Sequence, residues 1–242
     1  MIVLACLALS STAFATCSND SLNGTYGFLH DGTDTSGTPA TAAVSQITFD
    51  STTGTFTIET TASHDGVIAI ASTTGTYTVA SDCTGTGVPA GASPFSFVVT
   101  STGFLAAHVF SEGFAVEQGS ATCTNAGVEG SFGLEATGVF VAGAPATGPV
   151  VLIGDLKLTV THSGEGLISG NLAGSEGGTI FHFVGEPVTG SYSIAADCTG
   201  TATIKSKTLS DINFSFVLVD GGKEMLAIET DADTVVSGTL RR

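Results

Sequence analysis

This 242-residue chain contains an internal repeat, and the repeat narrows the choice of folds more than any other feature of the sequence. Three segments of the first half return in the same order in the second half: GTYGFLHDG as GSFGLEATG, GTYTVASDCTGT as GSYSIAADCTGT, and FSFVVTSTG as FSFVLVDGG. The offsets are 106, 115 and 119 residues, and insertions in the loops between strands would cause this drift. We therefore predict two related modules, at residues 16–122 and 123–242.

Each module shows the pattern of antiparallel β-strands. Hydrophobic side chains alternate with polar ones in short segments, for example at Leu156, Leu158 and Val160, which is the period of a strand with one buried face. About six or seven such segments per module, joined by short connections, predict an all-β fold of two tandem antiparallel β-meander or barrel-like repeats. One larger barrel or sandwich built from two half-sheets is the alternative.

The first 15 residues, MIVLACLALSSTAFA, have the pattern of an export signal, in which an apolar run leads to a small-residue cleavage site. The run departs from the usual pattern because no Lys or Arg precedes it. Nothing after it supplies 18 consecutive apolar residues, so we expect no membrane span. The prediction is a signal peptide at residues 1–15 and a mature protein that is secreted or held in the cell envelope.

The cysteines agree with export. Cys6 lies in the signal, and the four that remain are Cys17, Cys83, Cys123 and Cys198. An even number of cysteines in an exported chain favours disulfides. Each module opens with one cysteine and carries a second within its DCTGT motif, so the repeat favours the pairs Cys17–Cys83 and Cys123–Cys198. Pairing across the two modules is the alternative.

The charge of the chain excludes two classes of partner. The formal net charge is −16, and no Lys or Arg precedes Lys157. Such a chain has no basic surface for nucleic acid or for an anionic membrane. The first module also lacks the lysines that often protect exposed sheet edges, so self-association through strand edges is a possible consequence.

Motifs for catalysis or cofactor binding are missing from the sequence. It contains no G-x-S-x-G serine motif, no glycine-rich phosphate loop and no cysteine–histidine spacing typical of zinc. The pairs His30-Asp31 and His64-Asp65 occur in turn-like sequence, and neighbours on a strand would point to opposite faces, so neither pair predicts an acid–base couple. We expect no cofactor, and the sequence favours a non-enzymatic role over an enzymatic one.

Calcium is the metal that this acidic sequence favours, because several oxygen-rich turns could supply its ligands. The candidate ligands are Asp31, Asp34, Asp231 and Asp233. Asx turns would explain the same residues equally well. The aspartates before the two DCTGT cysteines, Asp82 and Asp197, recur in both modules, which predicts that they accept backbone hydrogen bonds in the turn that follows.

The last part of the chain resembles a family of uncharacterised exported bacterial proteins. The resemblance is carried by GSYSIAADCTGTATI and by the following FSFVLVDGGKEMLAIETDADTVVSGTL, in which DCTGT precedes a V-D-G-G-K-E hairpin and a final T-V-V-S-G strand. The first module matches more faintly because it lacks the D-G-G-K-E element. The resemblance implies export and a β fold, and it implies no catalytic residues.

Three functional hypotheses follow. The first is a secreted or cell-surface, non-enzymatic structural or interaction protein stabilised by two disulfides. The second is a carrier whose barrel interior holds a small apolar ligand, as closed barrels of about eight strands can. The third is a hydrolase or isomerase with a dispersed site. A cavity lined by Phe would favour the carrier, and a filled interior with long unpaired strand edges would favour assembly.

Overall fold

The structure is a computed structural model that describes residues 16–32, 40–108, 111–120, 122–144, 147–176, 179–181, 187–207 and 210–242. The predicted signal peptide and the calcium candidate Asp34 lie outside these residues. No helix in the described ranges has the length and hydrophobicity needed to cross a membrane.

The first module forms a closed antiparallel barrel, called the first barrel below, with its strands in meander order. Its described strands are β1 (Gly24–Gly32), β2 (Thr41–Asp50), β3 (Thr55–His64), β4 (Val67–Val79), β5 (Thr84–Pro89), β6 (Phe95–Val99), β7 (Gly103–His108) and β8 (Ser111–Glu117). The ring closes because β8 pairs with β1, where Ala115 faces Phe28.

The second module forms a second closed barrel, called the second barrel. Its described strands are β9 (Gly130–Phe140), β10 (Gly148–Val160), β11 (Gly166–Glu176), β12 (Thr179–Phe181), β13 (Pro187–Ile194), β14 (Thr199–Lys205), β15 (Ile212–Val219), β16 (Glu224–Glu229) and β17 (Thr234–Arg241). The ring closes where β17 pairs with β9 and β10 pairs with β11, and β12 adds to β11 outside the ring. The all-β fold with two barrels is confirmed, and the alternative of one larger barrel is wrong.

The first barrel has eight described strands rather than six or seven, and β5 shows why the sequence pattern undercounts them. Its sequence, TGTGVP, has the composition of a turn. Gly85 nevertheless pairs with Phe97, whose ring lies over the glycine so closely that a Cβ atom there would be 2.2 Å from it. The ring supplies the apolar contact that the glycine cannot, so a glycine-rich segment becomes part of the wall.

Replacing Gly85 with Ala is therefore expected to destabilise the protein by about 1–3 kcal/mol, because the new methyl group would displace the Phe97 ring from a packed core. Urea unfolding measures this loss. Gly133→Ala is the matched control, since a Cβ atom at Gly133 would come no closer than 3.9 Å to its nearest neighbour, the Arg241 carbonyl oxygen. Equal loss of stability in the two variants would contradict this account of β5.

One end of the first barrel is closed by a 3-10 turn, Asn19–Ser21, that precedes β1. The Tyr77 hydroxyl donates to the carbonyl oxygen of the buried Leu22 at 2.7 Å, and Asn19 Oδ1 accepts from the Val79 amide at 2.8 Å. Burial, together with the nearby carboxylates of Asp50 and Asp20, raises the pKa of Tyr77 to about 12. The hydroxyl therefore keeps the proton that it donates.

The second barrel repeats this closure with the 3-10 turn Asn125–Val128. Tyr192 donates its hydroxyl to the Asn125 carbonyl oxygen at 2.9 Å, and Asn125 Oδ1 accepts from the Ile194 amide at 3.0 Å. Burial, helped by the charge of Glu129, raises the pKa of Tyr192 to about 12 as well. The repeat thus preserves a closed end in both barrels.

Each closed end also brings two cysteines together. The Cα atoms are 5.0 Å apart in Cys17–Cys83 and 4.8 Å apart in Cys123–Cys198, which is disulfide distance in both cases. The aspartates that precede Cys83 and Cys198, Asp82 and Asp197, explain why the DCTGT motif recurs.

The aspartate of each DCTGT motif stabilises a tight turn in which the cysteine has a left-handed backbone, with φ of 70° at Cys83 and 71° at Cys198. Asp82 Oδ1 accepts from the Thr84 amide at 3.0 Å and from its hydroxyl at 2.7 Å. These hydrogen bonds lower the pKa of Asp82, the hydroxyl contributing most. Asp197 makes the same two bonds to Thr199, at 2.9 and 2.7 Å, so the turn role predicted for both aspartates is confirmed.

The two barrels pack through their outer faces. Leu29 and Val44 of the first barrel are buried in one cluster with residues of β15, β16 and β17, among them Leu226 and Ile228. Gly27 lies at this contact, and a Cβ atom there would be 2.5 Å from a methyl group of Val219. Because outward-facing residues form the contact, it leaves the inner face of each barrel separate.

Candidate functional site

The described side chains of the two barrels leave different amounts of open space in the interior. In the second barrel, side chains from every wall leave a void of about 30 Å³. The first barrel contains a cavity of about 230 Å³ at the end away from Cys17 and Cys83. This space, the barrel 1 cavity, is the candidate site. Its walls and rim are formed by Phe28, His30, Ser45, Ile47, Ile58, Thr60, Pro89, Ala92, Ser93, Phe95, Ala106, Ala107, Glu112 and Gly113.

Strand alternation places three polar side chains of the cavity on adjacent strands. Ser45 and Thr60 face each other on β2 and β3, and their hydroxyl oxygens are 2.8 Å apart. Ser45 is only 2% exposed, so this hydroxyl pair is inside the protein. His30 stands on the neighbouring β1, and its ring stacks on Phe28 with centroids 5.3 Å apart. Three polar side chains from adjacent strands therefore form a polar arc.

The position of His30 corrects an expectation from the sequence. His30 and Asp31 were expected in a turn, but both lie in β1. Alternation along the strand sends His30 into the barrel and Asp31 outward, where its carboxylate accepts from the Ser237 hydroxyl of the second barrel at 3.1 Å. The two are not an acid–base couple, as the alternation argument predicts.

The repeat gives the cavity residues counterparts in the second barrel. The segments GTYGFLH and GSFGLEA align Phe28 with Leu134 and His30 with Ala136. On the second strand of each barrel, the residues facing Phe28 and Leu134 are Ser45 and Gly154.

On the third strand, the next facing residues are Thr60 in the first barrel and Leu172 in the second. Leu172 belongs to the buried core of the second barrel. The polar arc thus replaces an alanine, a glycine and a leucine, and the loss of the leucine side chain accounts for part of the open space.

Sequence reasoning missed this site, although one signal was present. His30 stands against an alanine within a repeated segment, and such a polar-for-apolar difference at an inward position marks a divergent interior. The other two differences become visible only with the strand register, because β2 and β3 have little sequence similarity to β10 and β11.

Two open surfaces compete with the cavity as candidate sites. A groove of about 840 Å³ crosses the outside of the first barrel, where Val98 and Leu105 face each other across β6 and β7 and are 47% and 56% exposed. A cleft of about 550 Å³ lies between the barrels, with Asp31 and Asp65 among its lining residues. Both are open to solvent, as the barrel 1 cavity is at its mouth, and the groove is lined largely by threonine and aliphatic side chains.

The calcium candidates lie at structural positions. Asp231 accepts from the Asn213 amide at 2.8 Å and from its side-chain Nδ2 at 2.6 Å. Asp233 occupies the following turn, with φ of 65°, and its amide donates to the Gly66 carbonyl oxygen at 3.0 Å. Within the described part of the chain, no three His, Cys, Asp or Glu side chains are grouped so that they could hold a metal ion.

A buried carboxyl group that the sequence did not reveal lies in the second barrel. Glu229 shares the inner face of β16 with Met225 and Ala227 and is 5% exposed. Burial, with a smaller contribution from the charge of Asp231, raises the pKa of Glu229 to about 8. Its alternation with two core residues was the available signal, but the sequence alone did not show that the end of this strand is enclosed.

Comparisons with known proteins add little to this geometry. A scan against protein-family models gives no match, and no curated protein matches the chain. Among solved structures, one similar chain is a protein of unknown function from the DUF3598 family of Nostoc punctiforme, with 11% identity, a TM-score of 0.29, and 92% of this chain and 96% of that chain covered. Identity and TM-score at this level assign no family, so the function has to be inferred from the barrel 1 cavity itself.

Proposed function

We propose that this protein is an exported, non-enzymatic carrier that binds a small ligand in the barrel 1 cavity. One observation carries the proposal: of the two barrels related by the repeat, one has a void of about 30 Å³ between its described side chains and the other has a cavity of about 230 Å³ beside a polar arc. Export is supported by the sequence of residues 1–15 and by two cysteine pairs at disulfide distance.

The cavity has the properties of a binding site for a small molecule. Its volume equals that of about eight water molecules in the liquid, enough for a ligand of about ten non-hydrogen atoms. Its walls are mostly apolar, with Phe28, Phe95 and two isoleucines, and three of its polar side chains lie on adjacent strands. Ligand sites typically combine apolar walls with a few well-placed polar groups in this way.

The structural or interaction role finds less support in the barrels. Assembly through strand edges needs unpaired edges, and ring closure removes them in both barrels; of the described strands, the three-residue β12 lies outside the rings. The outer groove is larger than the barrel 1 cavity, and its lining lacks the Ser45–Thr60 hydroxyl pair. The carrier hypothesis therefore accounts for more of the structure.

The test uses 2-phenylethanol, a nine-heavy-atom probe, titrated into the full mature chain and followed by NMR. We expect shift changes confined to residues that line the barrel 1 cavity. Thr60→Leu introduces the residue that the second barrel has at this position, so it should fill the cavity and weaken binding at least about tenfold, which corresponds to about 1.4 kcal/mol.

Thr57→Leu is the matched control, because Thr57 lies on the same strand but is exposed on the outer face. This variant should bind 2-phenylethanol as the parent chain does. Undiminished binding by the Thr60→Leu variant, or shift changes centred on Val98 and Leu105, would refute the proposed site.

A further inference from the structure

We infer that the barrel 1 cavity selects small phenolic molecules that are neutral or positively charged, and that it rejects their anionic analogues. This inference rests on the proposed function and names the ligand class. Two features carry it: the Ser45–Thr60 hydroxyl pair in a cavity that is otherwise largely apolar and aromatic, and the absence of Lys and Arg from the first 156 residues of the sequence.

The arrangement of polar and aromatic residues in the cavity fits a planar molecule with a polar edge. The polar arc spans β1, β2 and β3, whereas Phe95 on β6 and Ala106 on β7 line the cavity from other strands of the ring. Phe28 adds a second aromatic ring beside the arc. An aromatic ligand gains offset or edge contacts with these rings while its substituent reaches the arc.

The hydroxyl pair can accept and donate at the same time. Each hydroxyl has one donor and two acceptor positions, and a single hydrogen bond between Ser45 and Thr60 leaves one donor and further acceptor positions for a ligand. A phenolic hydroxyl group can use both. A ligand without such a group would leave these buried positions without a polar partner, which costs binding free energy.

The charges near the cavity disfavour an anion. No Lys or Arg occurs before Lys157, so the walls of the first barrel offer no ammonium or guanidinium group to a carboxylate. Glu112 stands among the rim residues on the outward face of β8, opposite Asp31, so the carboxylates beside the mouth would repel an anion and attract a cation that approaches it. Moving an anion out of water without such a partner is costly, so the neutral or cationic form should bind better.

Four small probes separate the effect of the phenolic hydroxyl group from the effect of ligand charge. Each probe is titrated into the full mature chain and its binding is measured by calorimetry. Tyrosol is 2-phenylethanol with an added phenolic hydroxyl group, and tyramine and 4-hydroxyphenylacetate are its cationic and anionic analogues. We expect tyrosol to bind about tenfold more tightly than 2-phenylethanol, and 4-hydroxyphenylacetate at least about tenfold more weakly than tyrosol or tyramine.

Thr60→Val removes one hydroxyl with little change of shape and should bring the affinity for tyrosol down to that for 2-phenylethanol. Thr57→Val, on the outer face of the same strand, should leave the ratio unchanged. Equal binding of tyrosol and 4-hydroxyphenylacetate, or an unchanged ratio in the Thr60→Val variant, would overturn the ligand class while 2-phenylethanol still binds. Failure of 2-phenylethanol to bind would overturn the proposed function as well.

Discussion

The folded chain is expected to lose about 4 kcal/mol of stability between pH 5 and pH 9 through the titration of one buried side chain, Glu229. Its carboxyl group lies on the inner face of β16, within the second barrel. Burial disfavours the charged form and raises its pKa from 4.5 to about 8. The neutral carboxylic acid is therefore the form that the folded barrel accommodates.

The direction of the effect follows from proton binding. Between the unfolded pKa near 4.5 and the folded pKa near 8, the folded chain holds a proton on Glu229 that the unfolded chain has released. Stability must then fall as the pH rises through this window. The contribution of Glu229 to stability is complete below the unfolded pKa of 4.5 and is lost once the pH rises above the folded pKa of about 8.

Urea unfolding at pH 5, 7 and 9 measures this loss, and Glu229→Gln is the informative variant. An amide of nearly the same shape cannot ionise, so the variant should lose most of the pH dependence and be more stable than the parent chain at pH 9. Glu135→Gln changes an exposed carboxylate on β9 and should keep the parent's slope. A Glu229→Gln variant with an unchanged slope would show that Glu229 does not titrate in this range.

Replacing one cysteine pair with alanine is expected to cost about 4 kcal/mol in either barrel, because the disulfides would close loops of similar length. The sequence separations are 66 residues for Cys17–Cys83 and 75 for Cys123–Cys198. The two losses should be nearly equal and nearly additive, since the closed loops do not overlap in sequence. A loss of this size is a large fraction of the stability of an ordinary domain.

Unfolding of the oxidised single-pair and double-pair variants in urea measures these losses. A non-reducing digest of the parent chain, analysed by mass spectrometry, identifies the linked peptides directly. We expect Cys17 to be joined to Cys83, and Cys123 to Cys198. A peptide that links a cysteine of residues 16–122 with one of residues 123–242 would establish pairing across the modules instead.

The sequence predicted the elements whose determinants are local. Alternation of apolar and polar residues marked most strands, the repeat marked the two barrels, and the recurring aspartates marked the turns at Cys83 and Cys198. β5 was harder to recognise because its inward glycines acquire their apolar cover from Phe95 and Phe97 on the next strand. Only the tertiary pairing makes such a segment a good strand.

The candidate site depended on the register of whole strands. Thr60 is equivalent in position to Leu172. This equivalence follows only when the strand register is traced across β1, β2 and β3 and across the corresponding strands β9, β10 and β11. The enclosure of Glu229 likewise requires strands far apart in sequence to close into a ring. No local pattern in the sequence contains this information.

The closed end of the first barrel has a consequence for how a bound molecule would move. Asn19 and Leu22 occupy the base of the barrel and are fixed by hydrogen bonds to Tyr77 and Val79. The interior is therefore closed at this end and does not form a channel through the barrel. Whatever enters must leave through the same mouth. A barrel that is closed at one end is suited to binding a ligand and releasing it, and not to transporting the ligand from one end to the other.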